Sequence, residues 1–445
     1  MIVNYPKKIK ILLIRPKFFS IIANLEPLGL EYVAGLCRDL NIDCKIFDEF
    51  QHSSCFRFNR LVKKIKNGGY DYAGFYAIAN TTDYIIETSN KLKKIFPNLY
   101  IMIGGPEAEL NYMDFTTDNI DFIYHDNGLE SLKEAFVSNF SLDVLKKQDG
   151  ICYKMDNKWI IKGKGAPVNN FFSKPDRNGF YKGLKKYFAF LKGSYALVKA
   201  SFSCPYSCSF CCCGKRNSGT YTERAVMDVI DEIESINHNK IFFIDDTFFI
   251  NKERIILFCE KLIEKKLDKQ FMAFSRADFM ARNNDIMPLL YKAGFRDILV
   301  GLEAADEELL IEYNKQSSIN TNEQAIKNLR ENNIVCNGLF VVNHKSSKKD
   351  FKKLLRFIKE NKLLWVLFSI FTPYKGTEAY EKYKGSMIKT KSKYLDSLHI
   401  TIKPEKMSSF MFFIRFYLLY FLTYPKIYSR TLFKTAYNTK KTGWI

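Results

Sequence analysis

The sequence predicts an α/β protein in two parts. A doubly wound parallel sheet comes first, a partial (β/α)6 barrel second, and a helical tail closes the chain. Three observations carry this. Short apolar runs rich in β-branched residues alternate with amphipathic stretches along most of the chain. The runs stop at Gly, Pro, Asp or Asn, residues that turn the backbone. The rhythm breaks near residues 149–192 and then resumes for six βα units, fewer than the eight of a closed barrel.

In the first series, residues 9–14 form an apolar strand that Arg15-Pro16 stops. Pro27-Leu28-Gly29-Leu30 opens a helical pattern through residue 40. Strands follow at 44–48, 72–77, 100–103 and 122–124, with helices at 61–66, 84–95 and 129–136. Gly104-Gly105-Pro106 closes the fourth strand. Glycine there lets the backbone approach a flat or bulky ligand, although a plain tight turn explains it equally well. Residues 149–164 read as a β-hairpin turning at Asp156-Asn157, and Pro167 and Pro175 mark a linker after it.

In the second series, strands are expected at 197–202, 241–244, 271–275, 298–302, 335–342 and 366–371. Helices are expected at 222–237, 253–265, 286–293, 322–332 and 348–361. Polar residues at the carboxyl ends of such strands read as active-site residues. Those ends carry Asp245-Asp246, Arg276-Ala277-Asp278, Glu303 and Thr372-Pro373-Tyr374-Lys375-Gly376-Thr377.

The chemistry concentrates in Ser203 to Gly214, where Cys204, Cys208 and Cys211 stand at the spacing C-x3-C-x2-C. Three thiolates this close can hold three irons of a [4Fe–4S] cluster and leave the fourth iron open to a small molecule. A structural zinc site would need a further Cys or His pair, which the sequence lacks. Disulfides fit poorly, because neighbouring cysteines in a short loop pair badly and no secretory signature precedes the eleven scattered cysteines. Cys212 and Cys213 are packing residues or lie near the substrate.

The chain has 445 residues, 47% of them apolar, and a formal net charge of +20. About half of that excess is local, with twelve Lys/Arg against two Asp/Glu from residue 384 onward. A basic tail can meet nucleic acid, anionic lipid or an acidic substrate, or be a solvated face. No RNA-binding module or nucleic-acid motif appears. Residues 410–422 are strongly apolar but are broken by Arg415 and are too short to span a bilayer. They read as an amphipathic helix packed on the barrel, or as a membrane-surface helix with basic flanks.

The cysteine loop, with Phe210 before its third thiol, resembles the C-x3-C-x-Φ-C motif of the radical S-adenosylmethionine (SAM) superfamily. The first part resembles the cobalamin-binding domain that precedes many such enzymes, through Arg15-Pro16, Pro27-Leu28-Gly29-Leu30, Gly104-Gly105-Pro106-Glu107 and Asn127-Gly128-Leu129-Glu130. The D-x-H-x-x-G signature of a cobalt-ligating His is absent, since Ile123 stands where Asp would precede His125. The Gly-x-Pro usual after strand five is replaced by Val341-Val342-Asn343-His344-Lys345. His344 there is either a substrate-facing acid/base or a surface residue.

The resemblance implies residues 1–147 as a Rossmann-like cobalamin-binding domain and 148–192 as hairpin and linker. It implies 193–383 as the radical SAM partial TIM barrel, followed by 384–445 as a basic, mostly helical region. It implies three cofactors: a [4Fe–4S] cluster on Cys204, Cys208 and Cys211; SAM against Phe210, Asp245, Asp246, Arg276 and Glu303; and cobalamin against Pro16, Gly104, Gly105, Pro106, Asn127 and Gly128. Glu303 has an alternative as a structural partner of Arg276.

The implied activity is methylation of an unactivated carbon by way of a 5′-deoxyadenosyl radical and methylcobalamin. A radical cyclase or rearrangement enzyme on the same scaffold is the alternative, and a basic nucleic-acid or membrane-surface binding protein with a structural cluster is the other class. The implied partners are a small-molecule or lipid-like substrate and a reductase. The expected place is the cytoplasm, with the C-terminal helix offering a membrane surface contact.

Overall fold

The computed structural model describes residues 9–20, 23–52, 56–126, 128–190 and 192–423. Its first sheet holds β1 (Lys10–Arg15), β2 (Asp43–Asp48), β3 (Tyr72–Tyr76), β4 (Tyr100–Gly104), β5 (Phe122–Tyr124), β6 (Ile151–Met155) and β7 (Lys158–Ile161), in the order β2-β1-β3-β4-β5-β6-β7. The first five are parallel. The hairpin expected between the two domains instead extends this sheet, because β6 pairs antiparallel with β5.

Alternation of side chains explains the double winding. Leu12, Ile14, Ala73, Phe75, Ile101 and Ile103 face one layer, where they pack with Leu61 and Ile65 of α2 (Arg57–Gly68) and with Ile85 and Leu92 of α3 (Thr82–Ile95). Ile11, Leu13, Tyr72 and Met102 face the other layer, with Leu36 and Cys37 of α1 (Leu28–Asp39) and Ala135 and Phe136 of the helix Leu129–Val137. Burial on both faces requires such continuous apolar runs. The 2-1-3 order puts a topological switch point between β1 and β3, where such sheets bind ligands at their carboxyl ends.

The second sheet runs in chain order: β8 (Ala196–Val198), β9 (Lys240–Phe243), β10 (Gln270–Arg276), β11 (Phe295–Glu303), β12 (Val335–Val342) and β13 (Trp365–Ile370). All five neighbouring pairs are parallel. Outward residues such as Val198, Phe243, Ala273, Val300 and Phe340 pack under the helices. Inward residues Leu197, Phe242, Met272 and Leu299 meet Leu28 and Tyr32 of α1, so the first half of the chain contributes to the inside of the second.

Two expectations change here. The strand expected at 197–202 is interrupted, and Ser201–Phe202 pairs antiparallel with Thr222–Glu223 instead. The helix expected from 222 therefore begins only at Val226.

A buried ionic group joins the halves. Arg177 donates to Glu232 at 2.9 Å and to the Leu197 carbonyl at 2.6 Å, and it also donates to Glu26. Arg224 reaches Glu232 at 2.8 Å, and the Tyr32 hydroxyl donates to the same carboxylate. Glu31 lies 3.9 Å from Arg177. Burial first, and the Glu26 charge next, hold the Glu31 carboxyl well above the usual range.

Candidate active site

Between the carboxyl ends of β1, β3 and β4 and the entrance of the barrel lies a cavity of about 310 Å³. Its sheet side includes Leu13, Gly74, Tyr76, Met102, Gly104, Gly105, Pro106, Tyr124 and Gly128, and its barrel side Lys199, Phe202, Ser203, Arg216, Asn217 and Ile244. A Cβ on Gly104 would meet nothing within 4 Å, so that glycine leaves open space. Gly105 has φ +105°, and a Cβ there would lie 2.8 Å from the Ala77 carbonyl oxygen, so only glycine fits comfortably. The Tyr124 hydroxyl is buried without a hydrogen-bond partner. An apolar, glycine-edged slot with an unused hydroxyl suits a large flat ligand at a switch point. Pro16 is buried but does not line the cavity, and Asn127 lies outside the described residues.

The cysteine loop leaves this cavity at Ser203, whose φ is +65°. A second segment clamps it. Ser209 N donates to the Tyr313 carbonyl at 3.1 Å, Ser209 Oγ to the Glu312 carbonyl at 3.0 Å, and Asn314 Nδ2 to the Ser207 carbonyl at 2.9 Å. The Phe210 ring stands edge-on to Tyr313 at 5.1 Å. Ala379 N donates to the Ser209 carbonyl at 3.0 Å, and Lys215 Nζ to the Gly376 carbonyl at 2.5 Å, so the Thr372–Thr377 stretch fixes the other flank.

Arg276, at the end of β10, covers the Tyr206 ring at 3.9 Å and points Nη1 at Cys208 Sγ, 3.7 Å away. Burial pushes the Cys204 thiol up to about 11. It also raises Cys208, against the pull of Lys315 and Arg276. Among the described residues no three His, Cys, Asp or Glu side chains converge on a single-ion site. A cubane asks for something else, since each of its irons takes its own thiolate and the thiols surround it rather than meet at a point. The donor set fits that group: three partly exposed thiols on one clamped loop, with a guanidinium against one of them.

The carboxylates divide. Asp245 is fully buried and accepts from Ala200 N at 3.0 Å and Ser201 Oγ at 2.5 Å, so it ties β9 to the interrupted edge strand. Asp246 lies 3.4 Å from Arg216 and 3.8 Å from Lys199. Arg216 also holds Glu109 at 3.0 Å, and Glu109 accepts from Asn217 N at 2.5 Å. Glu109 belongs to the short helix Pro106–Asn111, so this chain of charges crosses the cavity wall from one sheet to the other.

A β-bulge between Gly301 and Glu303 re-aims the Glu303 side chain, with φ +60°. Its carboxylate pairs with buried Lys315 at 2.7 Å, which corrects the expected alternative of a pairing with Arg276. Gly301 makes room for that pair, since a Cβ there would fall 2.5 Å from Glu303 Oε1. His344 is buried beside Phe371 and Tyr383, which corrects its reading as a surface residue, and burial lowers its pKa. Glu109, Tyr124, Lys199, Arg216 and Lys315 escaped the sequence reading, because none belongs to a spacing motif.

Comparison with known proteins follows the same division. Residues 198–358 match the family model of the radical SAM superfamily, and residues 20–137 that of the B12 binding domain. The chain is 23% identical over 391 residues to the hopanoid C-3 methylase of Methylococcus capsulatus, covering 86% of this chain and 74% of that one. It is 25% identical over 373 residues to the anaerobic magnesium-protoporphyrin IX monomethyl ester cyclase of Synechocystis sp., covering 80% and 72%. Its fold superposes with a TM-score of 0.65 on the radical SAM methyltransferase TsrM from Kitasatospora setae, a structure with cobalamin and a [4Fe-4S] cluster bound. That match has 14% identity and covers 85% of this chain and 79% of that one. With a B12-binding sheet and a cysteine-loop barrel joined in one polypeptide, the chain belongs to the cobalamin-dependent radical SAM enzymes.

Proposed function

We propose that this enzyme is a C-methyltransferase that places a methyl group on an unactivated carbon of a small, lipid-like molecule. One observation carries the reading: Ser203, where the cysteine loop begins, lines the cavity at the sheet's carboxyl ends, so what binds in one adjoins what binds on the other. In this reading Cys204, Cys208 and Cys211 hold the cluster. Gly104, Gly105, Pro106 and Gly128 border the corrinoid, joined by the unpartnered hydroxyl of Tyr124. Pro16, which follows β1 in the chain, and Asn127 are proposed as cobalamin contacts on their motifs alone. The cluster supplies the electron that cleaves SAM, and cobalamin is the carrier of the transferred methyl group.

The chain's own residues do the rest. Arg276 and the Lys315–Glu303 pair set fixed charges beside Cys208, where SAM would lie, and Asp246 sits at the next strand end with Lys199 and Arg216. Asp245 acts as a positioning residue for the loop's entrance, since both its oxygens are engaged. Phe210, Tyr313 and Phe371 wall the site with aromatic surface and shield it from solvent and the hydrogen donors it carries. A reductase supplies electrons, and the C-terminal helix meets a membrane surface.

The test is anaerobic reconstitution with iron, sulfide, cobalamin, reductant and SAM labelled in its methyl group, incubated with a lipid extract of the host. Label transferred into a lipid, together with 5′-deoxyadenosine, is the expected result. A product of unchanged mass with 5′-deoxyadenosine favours the cyclase reading, which the cyclase relative supports. Absence of SAM cleavage sinks both.

A further inference from the structure

The last described helix, 409–423, is apolar on two sides. Phe412, Phe416 and Leu419 are buried against the barrel, and the Phe412 ring lies 5.6 Å from Phe351 of the helix Lys348–Glu360. On its outer side Phe410, Phe413, Ile414, Leu418, Phe421 and Leu422 are exposed, Phe410 by 71% and Phe421 by 70%. A soluble surface helix carries charged and polar residues there. This one has Arg415 as its only charged residue. The helix it packs on presents Lys348, Lys349, Lys352, Arg356 and Lys359 to solvent.

We propose that helix 409–423 docks the enzyme on an anionic phospholipid bilayer. The outer apolar stripe sits at the boundary between headgroups and acyl chains, and the neighbouring lysines and arginine meet the headgroups. The charges decide against other occupants. Residues 424–445 carry five Lys/Arg and no Asp/Glu, so folding them over the stripe brings like charges together. A second copy seated on the same face would bring two of the lysine-rich helices together. An anionic surface complements both. No described helix is long and apolar enough to cross a membrane, so the contact is interfacial.

The proposal deepens the lipid-substrate reading and rests on it for its purpose. Glu405 N, four residues before the helix, donates to the His344 carbonyl at 3.0 Å beside the barrel mouth. A molecule held in the bilayer would therefore stand near the entrance.

The test is flotation of the full reconstituted chain with phosphatidylcholine vesicles, with and without phosphatidylglycerol. Binding to the mixed vesicles is expected, weakening at least about tenfold without the anionic lipid, since each basic residue near the surface contributes a factor of about five. The triple variant Phe410→Ser, Phe413→Ser, Phe421→Ser should lose the binding while keeping its cluster absorption and melting temperature. The charge variant Lys349→Glu, Lys352→Glu, Arg356→Glu should lose only the preference for anionic lipid.

Failure of the wild type to float, or equal flotation of the triple variant, overturns the proposal. So does a wild-type dimer that the triple variant dissolves. So does a Phe413→Cys thiol that a maleimide labels only after the chain is cut at residue 423. Flotation without methyl transfer would leave the docking standing and remove the methyltransferase reading alone.

Discussion

Replacing Gly104 by Leu tests the cavity directly. Gly104 lies at the carboxyl end of β4, and a Cβ there meets no heavy atom within 4 Å, so the new side chain enters the cavity rather than the protein. Glycine in a strand costs about 0.5–1 kcal/mol relative to alanine, so the ligand-free variant should be as stable as the wild type or slightly more so. The cost appears only with the ligand. Overfilling a packed space costs about 1–3 kcal/mol, which is about a 5- to 150-fold loss of corrinoid affinity.

Gly105→Ala is the contrast. At φ +105° and 2.8 Å from the Ala77 carbonyl oxygen, its methyl group strains the backbone by about 1–3 kcal/mol with or without ligand. Absorbance titration with hydroxocobalamin and thermal melts of the ligand-free protein separate the two. A Gly104→Leu protein that binds cobalamin like the wild type would refute the placement of the corrinoid.

Three further outcomes are expected. Alanine at Cys204, Cys208 or Cys211 should abolish the visible absorption of the reconstituted cluster, whereas alanine at Cys212 or Cys213 should leave it. Lys315→Met strands the Glu303 carboxylate in a buried site, a loss of about 3–5 kcal/mol by thermal or denaturant melts, and the double variant with Glu303→Met should recover most of it. Glu31→Gln should gain melting temperature over the wild type as pH rises from 5 to 8. Burial first, and the Glu26 charge next, raise the folded Glu31 carboxyl well above 4.5, so the unfolded chain gives up its proton at lower pH than the fold does; the wild type therefore loses stability as pH rises past 4.5, and the amide does not. An equal difference at both pH values would contradict a raised Glu31.

The parallel strands were legible because each is a continuous apolar run, and β12 fell on its expected residues, Val335–Val342. The break after β8 was not legible. Asp245, more than forty residues downstream, captures Ala200 N and ends the ladder there, and no local pattern announces that. The cysteine spacing and the Gly-Gly-Pro turn are local signals and could be read. The chain Glu109–Arg216–Asp246 joins residues far apart in sequence and leaves no periodic trace. His344 looked like a surface residue because polar neighbours flank it, yet the turn after β12 folds it under Phe371 and Tyr383. The hairpin looked like a connector because its length and flanking prolines suit one, and only the edge of β5 shows where it pairs.

The guanidinium of Arg177 sits among the carboxylates of Glu26, Glu31 and Glu232, which come from both halves of the chain. Prising the halves apart would break the buried pairs of that cation with Glu26 and Glu232, a cost of about 3–5 kcal/mol. The enzyme is therefore not a clam that opens for its cargo. A bulky corrinoid then has to enter by a standing aperture between the halves, and the two halves are poor candidates for separate expression.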